Sequence, residues 1–97
     1  MIKRNSLFLM ANLGSEVTKI ISAKNRNDQI LLTEYSAHAD KILKEILSLP
    51  DMKEREIEIK TLAEVITDIS KAKSSLDISS VNIISYFTPF VMRLTRV

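Results

Sequence analysis

The chain has 97 residues, 45% of them hydrophobic, and its formal net charge at neutral pH is +2. This length predicts a single domain over residues 1–97, and one glycine and two prolines exclude collagen-like, propeller and glycine-rich architectures. The absence of cysteine excludes disulfides, thiolate zinc sites and a cysteine nucleophile, and a lone histidine excludes a multi-histidine metal site.

The first predicted helix covers residues 3–24. Its apolar residues recur at alternating spacings of three and four, the period of an amphipathic helix. Gly14 lies inside this pattern and leaves two interpretations open: a close-packing point in one helix, or the end of a first segment before a second one that Ser15 caps. The repeat keeps its phase across Gly14, which favours one helix. The apolar stripe comprises Leu7, Met10, Gly14, Val17 and Ile21.

The second predicted helix covers residues 28–48 and has the most regular pattern in the chain. Asn27 or Asp28 is suited to cap its first turn. Pro50 ends it, because the residue before a proline is biased out of the helical region. The apolar stripe comprises Leu32, Tyr35, Ala39, Ile42, Ile46 and Leu49.

The third predicted helix covers residues 52–74. Asp51 and Glu54 have the spacing of a capping box, which predicts that the helix begins directly after Asp51. Its end is expected near Ser74 and Ser75, residues that favour turns and caps. The stripe comprises Ile59, Leu62, Ile66, Ile69 and Leu76, with Lys73 in one position.

The fourth predicted helix covers residues 78–96 and has two apolar series. One comprises Ile83, Phe87, Phe90 and Leu94, and the other Val81, Ile84, Thr88 and Val91. Pro89 predicts either a kink or a new helix that Thr88 caps. A strand over residues 81–87 also fits the composition, but it would be isolated in this chain. The fold expected is therefore all-α: an antiparallel bundle of about four helices, the last kinked or split at Pro89.

Charge is unevenly distributed along the chain. Residues 1–27 carry a net charge of +4, residues 28–77 carry −4 and residues 78–97 carry +2. The basic ends either pair with the acidic middle inside the bundle or face an anionic partner. A nucleic-acid accessory protein is thus the alternative function, and it requires the bases to meet on one surface. Those bases are Arg4, Lys19, Lys24, Arg26, Arg93 and Arg96.

Catalytic and metal chemistry find little support in the residue pattern. His38 lies four residues after Glu34, so the two share a helix face, but a specific metal site needs further ligands. A hydrogen bond from His38 to Glu34 or to water is the plainer interpretation. With one glycine the chain cannot contain a nucleophile elbow, a P-loop or a dinucleotide motif. We therefore expect no catalytic residue, no cofactor, no metal and no enzymatic activity.

Three of the five aromatic residues lie within residues 86–90, beside two arginines. Aromatic side chains with arginine are the types enriched at interface hot spots, although Phe87 and Phe90 also fit the bundle core. On a helix Tyr86 points about 100° away from Phe87, which makes it the better interface candidate. The candidate partner-binding residues are Tyr86, Phe87, Phe90, Arg93 and Arg96.

The function expected is that of a small, non-enzymatic helical module of a regulatory, inhibitory or immunity, or adaptor type. It would act by burying an apolar helical face against a partner protein or against itself as a homodimer. No stretch of the sequence supplies the roughly 18 consecutive apolar residues of a membrane-spanning helix. We expect a cytoplasmic protein.

Overall fold

The structure is a computed structural model that describes residues 4–71 and 80–95. Within these residues the chain is all-helical. It forms α1 (Arg4–Asn25), α2 (Gln29–Leu47), a 3-10 helix (Pro50–Arg55), α3 (Glu56–Ile69) and α4 (Ser80–Thr95). Residues 81–87 belong to α4, so the strand alternative for this segment is wrong.

Helix α1 runs without interruption through Gly14, as the phase of its pattern predicts. It packs against α2, against α4 and, over a smaller area, against α3. Because α1 packs against several helices, its buried side chains extend beyond the single predicted apolar stripe. Leu13, Ile20 and Ala23 are buried in addition to Met10 and Val17 of the predicted stripe.

The turn between α1 and α2 follows from two adjacent polar residues. Asn27 adopts a left-handed backbone conformation with φ 56°, which asparagine tolerates better than most side chains. Asp28 then caps α2, since its carboxylate accepts a hydrogen bond from the backbone N–H of Leu31 at 3.1 Å. The prediction of a cap at this position is confirmed for Asp28.

The predicted capping box at the start of the third helix is wrong. Residues 50–55 form a 3-10 helix, and α3 begins at Glu56 with no side-chain cap. Asp51 instead accepts a hydrogen bond from the hydroxyl of Ser6 on α1. Ser6 is fully buried and needs an acceptor there, so the carboxylate joins two distant segments.

Helix α3 ends at Ile69, before the predicted end at residue 74. The ammonium group of Lys24, from the last turn of α1, donates to the backbone carbonyl of Ile69 at 3.0 Å. It thereby satisfies a carbonyl that the end of a helix leaves without an intrahelical partner. The predicted positions Lys73 and Leu76 lie outside the described residues.

The core is one continuous cluster that receives side chains from every helix. Most predicted stripe positions are buried, while Tyr35, Leu49 and Ile69 pack partly buried at its edge. From the first apolar series of α4, Ile83, Phe87 and Phe90 enter the core, and Ile84 and Val91 of the second series stay exposed. The buried apolar residues after α1 are Leu32, Ala39, Ile42, Leu43, Ile46, Met52, Ile59, Leu62, Ile66, Ile83, Phe87 and Phe90.

Gly14 is the point of closest approach between α1 and α4. A Cβ atom added to Gly14 would lie 2.7 Å from Cβ of Phe87 and 2.8 Å from Cγ of its ring. Neither atom belongs to the far end of a flexible side chain, so a side chain at position 14 would force the two helices apart. Glycine is required here by space rather than by backbone conformation.

We expect Gly14→Ala to destabilise the protein by about 1–2 kcal/mol, because overpacking at Phe87 outweighs the higher helix propensity of alanine. Urea unfolding followed by circular dichroism measures the change. Ser15→Ala, at the next and exposed position, is the control and should be nearly neutral. An unchanged or raised stability of Gly14→Ala would contradict the close contact.

Candidate protein-binding surface on α1 and α4

The predicted partner-binding residues occupy very different positions. Phe87 and Phe90 are 3% and 4% exposed, so these two side chains complete the core of the chain itself. Tyr86 is half-buried, and Arg93 is exposed near the end of α4. Arg96 lies outside the described residues. That Phe87 and Phe90 contact a partner stays a prediction, which their burial between the helices does not favour.

Tyr86 belongs to a polar network that joins α4 to the start of α3. The guanidinium of Arg55 donates two hydrogen bonds to the carboxylate of Glu58, from Nε at 3.2 Å and from Nη2 at 2.6 Å. The hydroxyl of Tyr86 donates to the same carboxylate. The guanidinium also lies over the ring of Phe90, 5.1 Å from its centroid. We call Arg55, Glu58 and Tyr86 the Glu58 network.

The network shifts the proton affinities of its members. Burial raises the pKa of Tyr86, and the hydrogen bond to the Glu58 carboxylate raises it further. The hydrogen bonds from Arg55 lower the pKa of Glu58 against the opposing effect of burial, and Tyr86 lowers it further. Tyr86 thus stays a neutral hydrogen-bond donor and Glu58 a charged acceptor at neutral pH.

Among the described residues, exposed large apolar side chains lie on one side of α1 and α4 and also on α2 and α3, at Ile30, Leu47 and Ile57. Three side chains of α4 contribute to the first group: Ile84, Val91 and Met92, which are 39%, 42% and 51% exposed. Phe8 of α1 is 57% exposed. It lies seven residues before Ser15 and so points to the same side of the helix. The α1/α4 face, as we define it, comprises Phe8, Ala11, Ser15, Ile84, Val91 and Met92.

A groove with a volume of about 290 Å³ runs along the middle of this face. Its α1 wall consists of small residues and its α4 wall of larger apolar ones, with Phe87 at its base. No charged side chain lines it, so a partner could cover it without removing a charge from water. The lining residues are Ala11, Gly14, Ser15, Thr18, Ile84, Phe87, Thr88, Val91 and Met92.

His38 lies beside a carboxylate that the sequence did not suggest. Its Nδ1 is 3.7 Å from Oε2 of Glu16 on α1, so Glu16 and not Glu34 is its neighbour. Glu16 is 7% exposed, and its Oε2 has no hydrogen-bond partner. Lys19 lies 3.5 Å from the other oxygen. Among the described residues, no group of three or more histidine, cysteine or carboxylate side chains is placed to hold a metal ion.

Within the described part of the chain the basic residues make separate contacts, and the side chain of Arg4 lies outside it. Lys19 pairs with Glu16 and lies over the ring of Tyr35 on α2. Lys24 binds the end of α3, and Arg26 donates to a carbonyl of its own turn. Arg93 is exposed on α4, which packs against α1. A nucleic-acid surface therefore stays a prediction that none of these contacts favours.

Comparisons of the chain with protein-family models, with curated proteins and with solved structures give no match. Over residues 4–71 and 80–95, the helices lack the combination of length and hydropathy that a membrane-spanning segment requires.

We expect the stability that Glu58 contributes to depend on pH. Its pKa is lowered from the ordinary 4.5 in the folded chain, so the contribution is present above that value and is lost as the pH falls through the folded pKa. The effect should not exceed about 1 kcal/mol, because the network is partly exposed and screened by solvent.

Thermal unfolding of the wild type and of Glu58→Gln from pH 7 to pH 3 measures this contribution. The difference in melting temperature between the wild type and Glu58→Gln should become smaller as the pH falls from 7 to 3. Glu64→Gln, an exposed glutamate on the same helix, is the control. An equal pH profile for the wild type and Glu58→Gln would contradict the network.

Proposed function

We propose that this protein is a non-enzymatic protein-binding module that works by burying the α1/α4 face. Its first partner is a second copy of the chain, so that the active form is a homodimer. The observation that carries the proposal is the groove between α1 and α4, which has the exposed apolar side chains of Ile84, Val91 and Met92 in its wall and no charged lining. Interfaces have such a composition at their centre, where charged residues are depleted.

The size of the face indicates a dimer of modest strength. Fully burying a large apolar side chain is worth about 1.5–3 kcal/mol, and each of these side chains is already about half covered. Association also costs several kcal/mol in lost translational and rotational freedom. A dissociation constant in the micromolar range or above is therefore expected, with Arg93 at the polar rim.

The proposed mechanism is occupancy: the partner covers the face, and no bond is made or broken. The raised pKa of Tyr86 leaves it a poor proton donor or acceptor at neutral pH. Its hydroxyl holds α4 to α3 through Glu58. In this role Tyr86 positions the helix that presents the face, rather than contacting the partner as an anchor.

The proposal includes an antiparallel order of neighbouring helices. Glu16 and Lys19 of α1 lie beside His38 and Tyr35 of α2, so the numbers rise on one helix as they fall on the other.

We also propose a bend of α4 at Pro89. A proline inside a helix cannot donate to the carbonyl four residues before it, and its ring crowds that carbonyl. Such a bend would let the last turn of α4 follow the surface of α1 and carry Met92 along the groove.

We expect Ile84→Lys to weaken self-association at least tenfold, because two charges would have to be desolvated at the centre of the interface. Sedimentation velocity over a range of protein concentrations measures the dissociation constant, and circular dichroism checks that the variant is folded.

Ile57→Lys provides the matched control. Ile57 is an isoleucine of α3 that is 83% exposed and lies outside the α1/α4 face. The substitution Ile57→Lys should therefore leave the dissociation constant unchanged. Equal effects of the two substitutions, or a wild type that remains monomeric at every concentration, would contradict the proposed homodimer.

A further inference from the structure

A second cavity lies between α3 and α4, beside the Glu58 network. Its volume is about 340 Å³, and pockets for small molecules have volumes of about 300–1,000 Å³. This cavity and the groove of the α1/α4 face have no lining residue in common. It is therefore a separate candidate site.

The wall of this α3/α4 cavity is mainly apolar and carries one charge. Leu62 and Val65 of α3 and Ile83 of α4 supply its apolar part. Glu58 is the one charged residue in the lining that the structure describes, and hydrogen bonds from Arg55 lower its pKa, so that it is ionised at neutral pH. Glu58 and Val65 are seven residues apart, or about 10 Å along α3. The wall on α3 thus runs from a carboxylate to an apolar end.

Three polar side chains of the lining offer acceptors to an incoming group. The hydroxyl of Tyr86 donates its hydrogen to Glu58, and that of Thr61 donates to the backbone carbonyl of Ile57 at 3.0 Å. Both hydroxyl oxygens can therefore only accept from a ligand. Oε1 of Glu58 accepts one hydrogen bond, from Nε of Arg55, and each oxygen of an ionised carboxylate can accept about two. Such a set of groups recognises a hydrogen-bond donor.

We propose that the α3/α4 cavity binds a small organic cation, with its ammonium group at the Glu58 carboxylate and its apolar body against Leu62, Val65 and Ile83. The charge of this ligand complements the lining, since Arg55 pairs with the same carboxylate but does not itself line the cavity. An apolar cavity of about 150 Å³ accommodates benzene, so an aromatic ring with a short alkyl chain fits here. The inference goes beyond the proposed function, because the site lies outside the α1/α4 face.

Three probes of similar shape and different charge test the recognition. Each is titrated at pH 7 into the wild type while amide chemical shifts are followed by nuclear magnetic resonance. 2-Phenylethylammonium should bind with a dissociation constant in the millimolar range or below, as expected of so small a ligand. Its shifts should centre on Thr61, Val65 and Ile83.

The neutral analogue 2-phenylethanol should bind about fivefold more weakly than 2-phenylethylammonium. The side chain of Glu58 is 40% exposed, and a charge pair that is partly exposed gives an effect of about this size. The anion 3-phenylpropionate should show no binding, because it would bring a second carboxylate next to Glu58.

Two substitutions separate the charge from the cavity. Glu58→Gln retains an oxygen that accepts from Tyr86 but removes the charge, so it should weaken binding of 2-phenylethylammonium about fivefold and leave that of 2-phenylethanol nearly unchanged. Glu64→Gln removes the same charge from an exposed position of α3 outside the lining and is the control. Val65→Phe fills the apolar end and should weaken the binding of both probes. Circular dichroism checks that each variant is folded.

Equal affinities of the wild type for 2-phenylethylammonium and 2-phenylethanol would overturn the inference, as would equal affinities of Glu58→Gln and Glu64→Gln for the ammonium probe. Shifts centred on the groove of the α1/α4 face would overturn it too. If Glu58→Gln does not fold, Val65→Phe decides: unchanged binding of 2-phenylethylammonium would place the probe elsewhere. These outcomes leave the proposed function standing, because it is measured by self-association without any probe.

Discussion

The contact between Gly14 and Phe87 determines where α4 lies. Only a residue without a side chain lets Phe87 approach the backbone of α1 this closely. Phe87 then forms the base of the groove, and the α4 residues on either side of it, Ile84 and Val91, become its wall. The groove that we propose as the binding surface therefore exists because position 14 is a glycine.

A second attachment fixes the rotation of α4 about its own axis. Tyr86 is held by Glu58 and the ring of Phe90 lies under the guanidinium of Arg55, so the two contacts bind the side of α4 that faces α3. With that side held and Phe87 directed at α1, the remaining side of the helix faces solvent. The exposure of Met92 on this side follows from contacts made elsewhere on the helix.

The sequence predicts local structure well, because periodicity and caps depend on neighbouring residues. The helices, the continuity of α1 through Gly14 and the cap at Asp28 all follow from spacing and residue type. The start of α3 does not follow from them, because the carboxylate of Asp51 accepts a hydrogen bond from Ser6, 45 residues earlier. The same holds for the neighbour of His38, which is supplied by α1 rather than by its own helix.

The candidate surface was predictable only in part. Both apolar series of α4 are visible in the sequence, but periodicity does not reveal which of them faces the core. Phe87 and Phe90 of the aromatic series are buried, and Ile84 and Val91 of the aliphatic series are exposed. The choice depends on the fit of Phe87 to Gly14, a contact between residues 73 positions apart.

We propose that this protein associates through the α1/α4 face. A dilution series of amide chemical shifts by nuclear magnetic resonance tests it most directly, because it locates the interface without any substitution. We expect concentration-dependent shifts along Phe8–Thr18 and Ile84–Met92, and constant shifts on the outer surfaces of α2 and α3. Shifts confined to α2 and α3, or none at any concentration, would contradict it.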